Sequence, residues 1–247
     1  ARRCAEEGVR IQAVLNVTSD KCYENKEWVW GYRETDRLGG FDPYSSSKAC
    51  SELVTASYRN AFFRPRDGHS LGVAVATARA GNVIGGGDWA ADRLIPDCIR
   101  SLLRGDSIRI RNPDAIRPWQ HVLEPLSGYL LLARKLVEEG EAYAQSWNFG
   151  PDDRDAKPVR WIVGALCDKW GNPSSCTFEP PSLYHEARHL KLDCSKAKTE
   201  LGWQPRWRIE QTLDRVVEWY KAYAAAGNVR ALCLAQIKQY ETADAAG

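Results

Sequence analysis

Short apolar runs alternate along the chain with longer stretches whose apolar residues recur every three or four positions. Ala13-Val14-Leu15-Asn16-Val17 reads as a buried strand and Leu71-Gly72-Val73-Ala74-Val75-Ala76 as a second. Between them, Asp42 to Phe63 reads as a helix, with Ala49, Leu53 and Ala56 on one side and Ser, Lys and Glu on the other. Further helices are predicted over Leu94 to Leu103, Leu126 to Glu139, Val159 to Trp170 and Ile209 to Ala225, the first two stopped by Gly105 and Gly140. Ser107 to Arg111 reads as a short strand, and Trp147-Asn148-Phe149-Gly150 closes another. The opening residues, Arg2 to Val9, have the pattern of a helix.

Apolar strands separated by helices predict an α/β fold, a parallel sheet with helices on both faces. The pattern changes after about Asp155, where strands shorten and aromatic residues become more frequent. Residues 1–155 therefore read as the sheet domain and 156–247 as mainly a smaller C-terminal lobe whose loops return to it. Asn172 to Ser182, rich in Pro and Ser, and the tail after Ala224 read as soft segments.

Composition narrows the function classes. With 34 basic against 32 acidic residues, nothing in the charge points to nucleic acid or a membrane surface. The longest apolar run, around Tyr129 to Ala133, is too short to span a bilayer. The eight cysteines are scattered singly, without C-x-x-C or a Cys/His cluster. The expectation is reduced thiols, no metal and a cytoplasmic protein. The chain holds no methionine, even at position 1, and opens inside a helical pattern. It reads as a piece whose N-terminal part is missing.

Tyr44 and Lys48 form Y-x-x-x-K at the start of the first long helix. Four residues are about one turn, so both side chains share a face. A phenol titrates near 10, too high for a base at neutral pH, and a neighbouring ammonium favours its ionised form. About half a match to this motif is expected by chance in a chain of this composition. Its context raises it: the motif follows a buried strand ending in Thr18-Ser19-Asp20-Lys21. Ligands of open α/β sheets bind at strand C-terminal ends, where Ser19 can hold a substrate hydroxyl and Asp20 and Lys21 can supply an acid and a base. The alternative is a polar turn with a surface ion pair. Strand alternation would send Asp20 and Lys21 to opposite faces, so a joint role requires the strand to have ended by Asp20. After the second strand, Arg79-Ala80-Gly81-Asn82-Val83-Ile84-Gly85 brings backbone close to a ligand, with Asn82 as donor. Arg111, Arg117 and His121 are candidates to meet a diphosphate. Taken singly, each is equally a surface arginine or a packed histidine.

These residues resemble a known family. Ser19 with Tyr44 and Lys48 is similar to the catalytic triad of the short-chain dehydrogenases, and R-x-x-N-V-I-G resembles their extended, nucleotide-sugar branch. TSDKCYENKEWVWGY, DPYSSSK, RAGNVIGGGDWA, DRLIPD, RPWQHVLEPLSGY, WNFGP and LKLDCSKAKTELGW resemble the branch's 4,6-dehydratases acting on CDP-glucose, over roughly residues 10 to 225. Lys21 stands where the dTDP-glucose subgroup carries Glu. The resemblance implies a Rossmann-like fold with its N-terminal strands missing, because the family's G-x-x-G-x-x-G turn is not in this sequence. Residues 1–155 would then be the later part of an NAD-binding domain with interleaved substrate-binding segments. It implies NAD as cofactor, contacted by Tyr44 and Lys48, and catalysis by Ser19, Asp20, Lys21, Tyr44 and Lys48. Asn82, Arg93, Leu94, Arg111, Arg117, His121 and His185 would bind the nucleotide sugar, and the full-length protein would be a homodimer. An epimerase or decarboxylase of the same superfamily would share Tyr44 and Lys48 without needing the Asp20–Lys21 pair. A non-catalytic binding protein on the same fold is the third reading.

Overall fold

The computed structural model describes residues 7, 11–63, 72–171, 176–178 and 189–244. In chain order the regular elements are β1 (Ala13–Val17), α1 (Pro43–Tyr58), β2 (Ala74–Ala80), β3 (Val83–Ile84), α2 (Leu94–Arg104), β4 (Ile108–Ile110), β5 (Ile116–Pro118) and β6 (Gln120–His121). Then come α3 (Leu123–Glu139), β7 (Ser146–Phe149), β8 (Ala156–Pro158), α4 (Val159–Trp170), β9 (Cys176–Phe178), α5 (Ile209–Ala224) and α6 (Val229–Thr242). The chain divides into two compact units. The first comprises Ala1–Gly81, Pro125–Gly150 and Lys191–Gln204, the second Asn82–Glu124, Pro151–Leu190 and Pro205–Gly247.

The first unit is built on a three-stranded parallel sheet of order β1-β2-β7, with Val17 opposite Ala78 and Ala78 opposite Trp147. This is the parallel α/β arrangement predicted. The middle strand is buried at every position, which is why it reads as an apolar run rather than an alternation. It begins and ends later than its sequence pattern indicated, running through Thr77 and Arg79 to Ala80. Asp42 caps α1 by accepting from Ser45 N at 3.0 Å, and Pro43 occupies the first turn, where its missing N–H costs nothing. Gly40 enters this turn so closely that a Cβ there would lie 2.3 Å from that of Ser45. The helix ends in a short π-turn, Arg59–Phe63. Trp147, Phe149, Leu132 and Leu136 are buried in this unit, and Trp203 meets the edge of Phe149 at 5.1 Å.

The second unit packs α2, α4 and α5 about one apolar cluster that includes Ile95, Ile99, Leu102, Ile162, Leu166, Leu213 and Val216. The buried positions of α2, Ile95, Cys98, Ile99 and Leu102, follow the three-and-four spacing of one helix face. Gly105 ends α2 in the left-handed region with φ 72°, as its sequence position predicted. Three two-stranded ladders surround the cluster: β3–β6 and β4–β9 parallel, β5–β8 antiparallel. The tail after Ala224, expected to be soft, instead forms α6, capped by Asn228 accepting from Ala231 N at 3.0 Å. Its end is held by Arg206, which donates to the carbonyls of Tyr240 and Glu241 at 2.8 Å each. Tyr240 in turn donates to the buried carboxylate of Glu124 at 2.7 Å.

Candidate functional site

β1 ends at Val17, and the chain turns at once into a 3-10 turn over Asp20–Cys22. Ser19 caps that turn: its Oγ accepts from Lys21 N at 3.2 Å and donates to Asp20 Oδ1 at 3.0 Å. Because the strand has stopped, alternation no longer governs Asp20 and Lys21. Asp20 is buried and Lys21 exposed. Tyr44, 48% exposed, stands in the first turn of α1. Two ammonium groups flank its ring: Lys48 Nζ is 5.7 Å from the centroid and Lys21 Nζ 5.8 Å. Three of the five residues expected to carry the chemistry therefore meet at one ring, and the other two are neighbours of Lys21 in the same turn. The phenol and the ammonium of Lys48 are two donors one turn apart on an accessible helix face, an arrangement that fits a ribose diol.

Behind this face lies a polar network that sequence reasoning missed. Glu52, two turns after Tyr44, is buried with Arg79 of β2, their charged atoms 2.8 Å apart. The same carboxylate accepts from the hydroxyls of Thr18, Thr77 at 2.7 Å and Ser146 at 3.3 Å. Burial raises the carboxyl of Glu52, but Arg79 and the Thr18 and Thr77 hydroxyls outweigh it and hold it below its ordinary value. Burial works against the charge of Arg79 too, yet the bond to Glu52 and the neighbouring acids raise it above the usual arginine range. Arg79 also donates to Tyr23 Oη at 2.7 Å, and Tyr23 donates to Asn148 Oδ1 at 2.7 Å. The signal was available: a charge inside a buried run requires a partner, and Glu52 continues the Tyr44–Lys48 face at the next turn.

The remaining candidates belong to the second unit. Asn82 precedes β3, and its carbonyl accepts from Gln120 N at 3.0 Å. Arg93 and Leu94 form the N-terminus of α2, with Arg93 exposed. Arg111 is 65% exposed and pairs with Asp92 at 3.4 Å. Arg117 is buried on β5 and donates to Ile116 O at 2.9 Å. His121 is buried against the edge of Trp207, ring centroids 4.9 Å apart, and its Nδ1 accepts from Leu123 N at 3.2 Å. His185 lies outside the described residues. Among the described residues no helix is long and apolar enough to cross a membrane. No group of three His, Cys, Asp or Glu among them could hold a metal ion.

The family model for GDP-mannose 4,6 dehydratase matches residues 1–216. The chain belongs to this family. It is 53% identical over 233 residues to CDP-glucose 4,6-dehydratase of Salmonella typhimurium, covering 94% of this chain and 65% of that protein. It is 28% identical over 211 residues to a dTDP-glucose 4,6-dehydratase of Streptomyces antibioticus, covering 84% of this chain and 57% of that one. The chain thus spans between 57% and 65% of the length of these curated relatives. Among solved structures, a dTDP-glucose 4,6-dehydratase from Streptomyces venezuelae with NAD bound superposes with a TM-score of 0.73 at 25% identity, over 92% of this chain and 65% of that one. A UDP-glucose 4-epimerase from Thermotoga maritima gives the same score at 20% identity, over 90% and 67% of the two chains, a likeness of fold. The family match agrees with the resemblance drawn from the motifs.

Proposed function

We propose that this chain is part of an NAD-dependent 4,6-dehydratase that removes water from the glucose of CDP-glucose, leaving a 4-keto-6-deoxy sugar. The observation that carries the reading is Tyr44 flanked by Lys48 and Lys21. NAD would be held by Tyr44 and Lys48, and would supply a hydride acceptor for C4 of the sugar and a hydride donor for C6. Tyr44 takes the proton of the 4-hydroxyl, Ser19 hydrogen-bonds that hydroxyl, and Lys48 holds the cofactor's ribose and keeps positive charge beside the phenol. The ketone at C4 acidifies the C5 hydrogen. Lys21 removes that proton, and Asp20 protonates the departing 6-hydroxyl, which leaves as water. One proton is taken from C5 and one given to the 6-hydroxyl; Lys21 returns its proton to C5 when C6 is reduced, and Asp20 recovers the equivalent of the proton that Tyr44 took from the 4-hydroxyl.

Recognition of the nucleotide diphosphate falls to Asn82, Arg93, Leu94, Arg111, Arg117 and His121 of the second unit, with His185. CDP as the nucleotide is supported by the 53% identity to the Salmonella enzyme and by Ser19-Asp20-Lys21. The same reading makes the full-length protein a cytoplasmic homodimer. The test is turnover of CDP-glucose with NAD by a protein of the relatives' full length, followed by the absorbance of the 4-keto product in alkali. Tyr44→Phe should lower the rate at least about 10²-fold, the low end for a general acid–base group. A near-normal rate removes Tyr44 from the chemistry.

A further inference from the structure

We propose that the buried Glu52–Arg79 pair is a positioning element that fixes helix α1, carrying Tyr44 and Lys48, in register with the turn that carries Ser19, Asp20 and Lys21. The inference rests on the dehydratase reading for its kinetic consequence, and on geometry alone for its mechanical one. Tyr44, Lys48 and Glu52 are spaced by four residues and share one face of α1. At the far end of that face, one carboxylate collects donors from β2, from β7 and from the residue that follows β1. They are Thr18, immediately after β1 and next to Ser19, Thr77 and Arg79 on β2, and Ser146 on β7. Thr18 is held independently, its N donating to Ala78 O at 2.8 Å.

Arg79 extends the same constraint to the other side of the chemistry. Its guanidinium donates to Tyr23 Oη at 2.7 Å and to Glu34 O at 3.3 Å, and lies over the Tyr23 ring at 4.9 Å. Tyr23 directly follows the Asp20–Cys22 turn. The pair therefore connects the helix bearing one half of the reacting groups to the turn bearing the other half. Apolar side chains of similar volume would fill the space at a cost confined to the hydroxyls that lose their acceptor, since buried pairs themselves contribute little net stability over such replacements. They would not fix the axial position of a helix, because apolar packing lacks the direction of a hydrogen bond. Catalytic groups tolerate little displacement: about 1 Å can cost ~10²-fold in rate.

The test uses the full-length protein with two variants. Glu52→Leu combined with Arg79→Met removes the charges together and leaves none unpaired. Glu52→Asp keeps the charge and withdraws it by one carbon–carbon bond, about 1.5 Å. Thermal midpoint, kcat and KM for CDP-glucose, and hydrogen exchange of the amides of residues 44–52 are measured on each. The expected result for the double variant is a lowered midpoint, because the buried Thr77 hydroxyl loses its acceptor, with an unchanged KM, kcat lowered at least about 10-fold and faster exchange in 44–52. A double variant with wild-type kcat and wild-type exchange overturns the proposal, because the pair would then be packing alone. Should the double variant fail to fold, Glu52→Asp decides by the same split, and wild-type kcat or a loss expressed only in KM overturns it. If the wild-type protein does not turn over CDP-glucose, the dehydratase reading has failed instead. The exchange measurement then judges the positioning role alone, and unaltered protection of 44–52 rejects it.

Discussion

Lowering the pH from about 7.5 to about 5 should remove roughly 2 kcal/mol of stability through His121 alone. Burial, with the positive charge of Arg215 on α5, lowers this imidazole from 6.5 to about 4. Its Nδ1 is engaged as an acceptor from Leu123 N, and Trp207 covers the ring. A base whose folded value is depressed contributes fully above its unfolded value, here 6.5, and loses that contribution as the pH falls toward about 4. At about pH 5, protonation favours the unfolded state by a factor of about 33 and the folded state by about 1.1, a ratio of about 30 and hence roughly 2 kcal/mol. Glu124 works in the opposite direction. Burial outweighs the bonds from Trp207 N, Tyr240 and Arg206 N and raises its carboxyl, so its contribution is lost as pH rises. The comparison that isolates His121 is therefore urea unfolding of wild type and His121→Asn at both pH values, Asn retaining an acceptor for Leu123 N. Wild type should lose about 2 kcal/mol more than the variant over this interval. Equal losses would mean that the imidazole is not held neutral by its surroundings, and the reasoning would be wrong.

Arg117→Ala in the full-length protein should raise KM for the nucleotide sugar more than it lowers the chemical step, and an unchanged KM would take Arg117 out of recognition. Lys21→Ala should still oxidise the sugar at C4 but no longer exchange the C5 hydrogen with heavy water. Undiminished deuterium incorporation would assign that proton to another base. Gly128→Ala on α3 would bring a Cβ within 2.3 Å of Phe149 Cδ1, an overpacking that should cost about 1–3 kcal/mol in thermal or urea unfolding. A neutral result would show that the ring moves aside freely.

The elements most legible in the sequence were those defined by local chemistry. Asp42-Pro43 marks the start of α1, Gly105 and Gly140 mark helix ends, and the apolar run Ala13–Val17 coincides with β1. The boundaries of β2 were not legible, because Thr77 and Arg79 interrupt its apolar pattern. Both turn toward Glu52, whose nearest sequence neighbour among its partners lies 25 residues away. Helix α6 was hidden for a related reason. Its buried residues, Gln236 and Tyr240, are polar and are held by Arg215, Glu218 and Glu124 rather than by an apolar stripe. At the site, the Tyr44–Lys48 spacing predicted the shared face, since one helical turn suffices to create it. The approach of Lys21 to the same ring depends on β1 ending at Val17 and on a 3-10 turn. Periodicity within a strand carries no information about either.

The burial that surrounds the reacting groups also decides how the protein meets thiol reagents. Cys22, beside Lys21, is fully buried, and desolvation pushes its thiol to about 12 against the opposing charge of Arg79. Cys194 is raised by burial as well. Only the thiolate is nucleophilic, so neither competes for an alkylating probe. Cys50 and Cys233 are exposed. With Cys4, Cys176 and Cys233 replaced by serine, Cys50 becomes the exposed thiol among the described cysteines, on α1 two residues from Lys48. A fluorophore attached there would report motion of the helix carrying Tyr44 without any introduced cysteine.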